Sequence, residues 1–525
     1  MLKASMARGG MLSAPHHLAA QSGAAVLREG GNAVEAMVAA AATIAVSYPH
    51  MNGIGGDGFW LIAGPGKPPI AIRACGPAAQ LAGRSFYAQD KSIPTRGPRA
   101  ALTVAGAIGG WAQALDLAAR LGGRLPLARL LADAIGHARA GVPVTRSQAR
   151  LTAAKWHELA ELPGFAETFA PQGLPAVGDT QVQPRLAATL EQLARAGLND
   201  FYRGDLARSL ARDLEALGSP LRLADLESYR AEQVTPLCVE LGVGRSYNLP
   251  PPTQGVSALA ILGIFDKLGV REGESFAHVH GLVEATKRAF RWRNAYCGDP
   301  RSMTADAQAF LAADSLACEA NAIDMTRAAP WPELAKPGDT IWMGAADRHG
   351  NVVSYIQSVY WEFGCGVVLP ESGVQWQNRG ASFSLSDGPN ALMPGRLPFH
   401  TLNPSLARLK DGRVIAYGTM GGEGQPQTQA AVFSRHLLFG QDLQAAVTAP
   451  RWLLGRTWGE ESTNLKLESR FAPALVDALS AAGHELQIVG DFEDMMGHAG
   501  AVSVHPGGLI EGASDPRADG LCAAL

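Results

Sequence analysis

Paired cysteines, long apolar runs and charge are all scarce in this chain, and each shortage excludes a class of protein. The six cysteines, Cys75, Cys238, Cys297, Cys318, Cys365 and Cys522, include no C-x-x-C pair, which rules out a zinc ribbon and offers no disulfide framework. Thirteen histidines occur without an H-E-x-x-H pair, so neither a metal nor another cofactor is expected. Charged residues make up 18% of the chain, against about 25% in typical globular proteins. With a net charge of −3, the chain carries neither the basic field of a nucleic-acid binder nor a polybasic membrane anchor. The most apolar stretch, Ala36–Val46, falls short of the about 20 residues that span a bilayer. Lys3 and Arg8 are not followed by the apolar core of a signal peptide. The expectation is a soluble cytoplasmic protein with free thiols, and no nucleic-acid or membrane partner.

What is present points to a layered enzyme. A length of 525 residues predicts two to four domains at about 100–200 residues each. The 47% hydrophobic content suits long buried elements, and 60 glycines, above the average of about 7%, suit tight turns and close backbone approaches. Residues 13–47 read as two helices broken at Gly30-Gly31-Asn32, the second apolar enough to be covered on all sides. Strand-like FWLIAG and PIAIRACG follow, and residues 110–330 show mostly helical periodicity. From Thr340 the chain turns to strands: IWMGAA and VVSYIQSVYW form a hairpin about Asp347–Asn351, followed by SLARLK, RVIAYGTMG, LKLES and HELQIVG. Helices are expected near QPQTQAAVFSRHLL and PALVDALSAAG. Helices, then strands, then mixed elements imply α/β or α+β layers.

Three segments bear chemistry. Gly53, Gly55 and Gly58 fit G-x-G-x-x-G, but a helix precedes them and a strand follows, the reverse of a dinucleotide fingerprint. They read as a tight turn feeding a core strand, and a nicotinamide-dependent oxidoreductase ranks last among the readings. Lys336-Pro337-Gly338-Asp339-Thr340 stands directly before an apolar strand. If the chain is cut before a threonine, the freed α-amine, with a pKa of about 7.7–8.0, can serve as base for the hydroxyl. Gly418-Thr419-Met420-Gly421-Gly422-Glu423-Gly424 joins a strand to a helix, where backbone N–H groups can bind an oxyanion.

Together with further ordered motifs, these segments resemble the γ-glutamyltranspeptidase family of N-terminal-nucleophile hydrolases over almost the whole chain. The motifs include GGNAVEAMVA, NGIGGDGFW, FYRGDLA, LPPPTQG, YCGDP, GDT with AADRHGNVVSY, FGCGVVLPESG, LNPSLA, MGGEG, APRW and GASDPR. The resemblance implies an α+β fold, a four-layer αββα sandwich, and a precursor that cuts itself between Asp339 and Thr340. Residues 1–339 would form the large fragment and 340–525 the small one, together one folded domain. The fragments would stay associated, with a homodimer of heterodimers as one option. By position, Thr340 matches the nucleophile, Ser358 a residue assisting it, Gly421 and Gly422 the oxyanion glycines, and Arg73 the substrate-carboxylate arginine; a structural ion pair is the alternative for Arg73.

Departures from the family pattern bear on the substrate. Ser382 stands where the resemblance places the acid that binds a γ-glutamyl ammonium. Tyr360 and Arg379 replace Asn and Gln, His400 and Thr401 replace paired serines, and Ile341-Trp342 replace Thr-His. The segment between Phe383 and Pro398 is short for the family, which implies a reduced lid loop. The substitutions remove an anion and add a cation and a bulky aromatic, suiting a small acyl group with a carboxylate and no ammonium. Arg379 could equally be structural, and His400 a satisfied core histidine. The chain is most similar to the oxamate amidohydrolase branch, associated with nitrogen recovery from purine breakdown. A γ-glutamyl hydrolase, transpeptidase or related acylase is the alternative, and a non-processing binding or scaffold homologue is an alternative of another class.

Overall fold

A computed structural model describes residues 2–331, 339–455 and 462–525, with the side chain of Asp339 outside the description. The Lys336–Gly338 part of the expected turn thus lies outside the described residues.

Two seven-stranded sheets form the centre. One runs, in spatial order, Ser5–Ala7, Ile510–Ser514, Ala499–Val504, Val414–Thr419, Ser405–Leu409, Gly244–Asn248 and Leu237–Leu241. The other runs Leu521–Ala524, Gly10–Ala14, Asp339–Asp347, Val352–Tyr360, Asp57–Ala63, Ile70–Ala74 and Glu232–Val234. Every neighbouring pair in both is antiparallel. The expected hairpin is present, with Trp342 opposite Ile356 and Gly344 opposite Ser354.

Strand alternation divides the apolar residues into three interior layers. Phe59, Leu61, Trp342 and Ile356 face Leu406, Ala416 and Val502 between the sheets. Their sequence neighbours Trp60, Ile62, Ile341, Met343 and Tyr355 point outward onto the helices that include Ala33–Ser47. On the far side, Val239, Ala407, Ile415 and Ala501 pack against the helices Gly255–Leu268 and Phe276–Tyr296. Three apolar layers between four sets of elements make the expected αββα sandwich.

The helix Ala33–Ser47 is the clearest case of sequence dictating structure. Asn32 caps it: its Oδ1 accepts the Glu35 N–H at 3.0 Å, while Glu35 Oε2 accepts the Asn32 N–H at 2.8 Å. Seven alanines supply helix propensity, and all of its residues are buried. The Gly53–Gly58 segment is the tight turn expected of it. A Cβ on Gly55 would lie 2.1 Å from the Gln375 carbonyl oxygen, and one on Gly56 2.1 Å from that of Ser358.

The helical stretch also holds strands that the periodicity did not indicate, Glu232–Val234, Leu237–Leu241 and Gly244–Asn248. LKLES and HELQIVG are strands, but they belong to a separate three-stranded sheet with Trp452–Leu454. Among the described residues no helix is long and apolar enough to cross a membrane.

Candidate active site

Thr340, Ser358 and Asp57 occupy one end of three adjacent strands. A register shift between the Asp339–Tyr360 and Ile341–Gln357 pairs sets Thr340 beside Ser358, and Ser358 pairs with Asp57. Adjacent strands are about 4.8 Å apart, so the three side chains fall within reach of one small ligand. Gly58 pairs with Ala74, which brings Cys75 level with Asp57 on the next strand. All four are buried. Ser358 Oγ accepts the Tyr360 N–H at 2.7 Å. Tyr360 holds φ at 86°, a left-handed conformation rare for a bulky residue and of the kind that clusters at functional sites.

Arg379 opens the 3₁₀ turn Arg379–Ser382. Asn378 anchors that turn by donating to the Thr95 carbonyl at 2.8 Å and accepting the Trp361 N–H at 3.1 Å. Gly380 is required, because the Leu102 side chain lies 2.2 Å from where a Cβ would stand. The guanidinium carbon of Arg379 lies 3.7 Å from the Tyr360 ring centre, a cation–π stack. Arg379 is buried, and among the described residues none of its three guanidinium nitrogens has a hydrogen-bond partner. Burial pulls its pKa down to about 10, with the Tyr360 and Asp57 charges opposing the fall, so it remains a cation at neutral pH.

His400 is buried, both ring nitrogens lack hydrogen bonds among the described residues, and its Nε2 lies 3.5 Å from Asp57 Oδ2. It is therefore not a satisfied core histidine. Burial, then the Arg379 and Arg73 charges, push its pKa well below the usual imidazole range, which keeps it neutral. Thr401 beside it is buried with its hydroxyl unpartnered. Arg73 pairs with Glu232 on the edge strand and donates to the Pro251 carbonyl at 3.4 Å. Arg73 thus has a protein carboxylate already, whereas Arg379 has none. Ser382 is buried in the turn that Arg379 opens.

Gly421 and Gly422 follow the strand Val414–Thr419 with φ of 118° and 49°, values that favour glycine. They precede the helix Gln425–Phe433, so backbone N–H groups gather at its positive end. Gln254 Nε2 ties this turn to the His400-Thr401 segment, donating to the carbonyls of Gly422 and Thr401 at 2.8 Å each. Arg293 in turn donates to Gln254 Oε1 at 3.0 Å and pairs with Glu423 at 2.6 Å. Trp342 does not wall the site. Its ring lies in the layer between the sheets, with Nε1 donating to Ser354 Oγ at 2.9 Å.

Sequence reading passed over Asp57, Gln254 and Arg293. The available signal for Asp57 was an acid at the head of a wholly apolar strand. For Gln254 it was a polar residue ending the Pro-rich LPPPTQG.

Among the described residues one group, His280, Glu284 and His484, has ligand atoms close enough for a cation. It is already satisfied from within. His280 Nε2 donates to the Asp324 carbonyl at 2.9 Å, its Nδ1 lies 2.8 Å from His484 Nε2, and Glu284 pairs with Lys287 at 2.7 Å.

Comparison with known proteins places the chain in a family. The family model described as Gamma-glutamyltranspeptidase matches residues 19–525. The chain is 56% identical to the oxamate amidohydrolase proenzyme of Klebsiella pneumoniae, with 98% of each chain covered. It is 37% identical to a glutathione hydrolase-like proenzyme of Bacillus subtilis, again with 98% of each covered. The structure of a cephalosporin acylase from Bacillus halodurans superposes with a TM-score of 0.92 at 33% identity, covering 100% of this chain and 97% of that one. On a family match spanning nearly all of its length, the chain belongs to the γ-glutamyltranspeptidase family.

Proposed function

We propose that this protein is a self-processing amidohydrolase that cleaves its own chain between Asp339 and Thr340 and then hydrolyses a small carboxylate-bearing amide, oxamate to oxalate and ammonia. The observation that carries the substrate reading is the buried Arg379 guanidinium, which has no hydrogen-bond partner among the described residues. A buried cation left unpaired is strongly unfavourable, so the site is built for an anion. The 56% identical oxamate amidohydrolase proenzyme supports the same substrate.

In this reading the Thr340 α-amine, freed by processing, takes the proton of the Thr340 hydroxyl. The oxygen attacks the amide carbon while the Gly421 and Gly422 N–H groups stabilise the developing oxyanion. Ser358 orients the threonine, Arg379 stacked on Tyr360 holds the substrate carboxylate, and His400 and Thr401 line the pocket. Ammonia departs with the transferred proton, and water releases oxalate from the acyl-threonine. Arg73, paired with Glu232, adds positive charge near His400. The enzyme works in the cytoplasm, in nitrogen recovery from purine breakdown, with its two fragments associated.

Purified protein should run as two bands on a denaturing gel, the smaller beginning at Thr340 by N-terminal sequencing, and should release ammonia from oxamate. Thr340→Ala should remain a single chain without activity. Faster turnover of a γ-glutamyl anilide than of oxamate would establish the transpeptidase alternative instead. A wild-type chain that stays intact would establish the non-processing one.

A further inference from the structure

Acyl transfer by Thr340 leaves one buried acid beside it without a task. Asp57 Oδ1 is saturated: it accepts the Gly106 N–H at 3.0 Å, the Gly76 N–H at 3.4 Å and Gln377 Nε2 at 3.2 Å. Oδ2 is buried with no hydrogen-bond partner among the described residues. These bonds lock the carboxyl plane, so Oδ2 is held in one direction, toward His400. The Arg379 guanidinium is likewise buried and, among the described residues, without a hydrogen-bond partner. The two charges are near enough to influence each other's protonation, yet they make no hydrogen bond to one another. Opposite charges buried together normally close into contact, because each otherwise forfeits its hydration. Here backbone N–H groups fix Asp57 and the Tyr360 ring stacks on Arg379, so among the described residues an acceptor and a cation are both left for a ligand to satisfy.

We infer that Asp57 is a specificity-determining residue: its Oδ2 accepts an N–H of the substrate's primary amide while Arg379 binds the carboxylate at the other end. The inference rests on the amide-acid reading above and extends it to the leaving-group side. It also accounts for product release. Attack of Thr340 Oγ on the amide carbon breaks the C–N bond and expels ammonia. Water then attacks the acyl carbon and breaks the bond to Thr340 Oγ, one of its protons returning to that oxygen and the other leaving with the ammonia as ammonium. The water oxygen becomes a second carboxylate, in the place where the NH₂ group stood. Asp57 then faces an anion in place of a donor, and the product is repelled.

Three ligands of nearly equal size test this, since they differ only in the group offered to Asp57: oxamate (NH₂), pyruvate (CH₃) and oxalate (O⁻). On the processed wild-type protein, oxamate should bind at least about tenfold more tightly than either of the others, measured as KM or as competitive Ki. A donor bond to a charged acceptor supports a factor of that order. In processed Asp57→Asn, whose side chain can turn N–H groups toward the pocket, oxalate should gain about tenfold and oxamate should lose about tenfold. Equal binding of oxamate and pyruvate to the wild type would overturn the inference, and that arm needs no variant to fold. So would an Asp57→Asn protein whose three affinities all fall together. If the wild type releases no ammonia from oxamate, the substrate reading fails. The clamp then stands or falls on whether malonamate outcompetes malonate in wild type and loses that preference in Asp57→Asn.

Discussion

At the scale of single residues, the site is defined by side chains that the protein leaves unsatisfied. Arg379→Met keeps much of the volume and removes the charge. It should lower kcat/KM for oxamate by roughly one to two decades, the loss of a charge-assisted bond of about 1.5–3 kcal/mol, while processing into two fragments continues. Steady-state kinetics beside a denaturing gel separates the two effects. A pH dependence follows from Asp57, whose carboxyl burial pushes up to about 7 against the opposing Arg379 charge. The neighbouring groups are set by burial or by pairing. Burial keeps the Cys75 thiol and the Tyr202, Tyr229 and Tyr355 phenols protonated, His400 is neutral, and Arg73 pairs with Glu232. The freed Thr340 amine, at about 7.7–8.0, titrates in wild type and variant alike. Below pH 7 a protonated Asp57 donates to oxalate, so inhibition by oxalate should strengthen from pH 8 to pH 6 in wild type. In Asp57→Asn that strengthening should be absent.

At the scale of elements, glycine decides how closely the two sheets approach. The Trp342 ring reaches from its own strand to the opposite sheet. A Cβ would stand 2.2 Å from it at Gly418, 2.5 Å at Gly500 and 2.7 Å at Gly344. Gly418→Ala should therefore cost about 1–3 kcal/mol through overpacking. Trp342→Ala should cost about 3–5 kcal/mol through the cavity it leaves, both read by urea unfolding. Neither residue contacts Arg379 or Asp57 by hydrogen bond, so the surviving folded protein should keep its order of preference among oxamate, pyruvate and oxalate.

At the scale of the whole molecule, both sheets are woven from strands on either side of the Asp339–Thr340 bond. Asp339–Asp347 lies between Gly10–Ala14 and Val352–Tyr360, and Gly244–Asn248 lies beside Ser405–Leu409. The fragments of the processed enzyme should consequently co-elute on gel filtration until a denaturant unfolds both. A buried network ties the C-terminal segment down: Asp515 pairs with Arg451 at 2.5 Å and with Arg517 at 3.0 Å, and Arg517 pairs with Glu468 at 2.6 Å. Burial raises the Asp515 pKa, but Arg451 and Arg517 outweigh it and hold the carboxyl down to about 2. A depressed carboxylate contributes stability above its unfolded pKa of about 3.9, and that stability is lost as pH falls toward 2. Asp515→Asn should lose about 3–5 kcal/mol at neutral pH by stranding the arginines. Its stability should fall less steeply than that of the wild type between pH 4 and pH 2 in acid unfolding.

Local chemistry made much of this legible in the linear chain. The capped, alanine-rich Ala33–Ser47 helix, the Asp347–Asn351 turn and its hairpin, and the glycine turn before Asp57 each depend on neighbours in sequence. The strands Gly10–Ala14, Ala499–Val504, Ile510–Ser514 and Leu521–Ala524 were not legible, because GMLSA, AGAVSV, IEGAS and LCAA have small residues in place of the β-branched alternation that marks a strand. Ordered motifs sufficed for the family. Only the tertiary structure decided that Arg73 has a partner and Arg379 has none, that Trp342 belongs to the core, and that Asp57 faces His400. Hydrogen bonding and charge pairing in a buried pocket depend on which distant strands and turns meet there, and no spacing along the chain encodes that meeting.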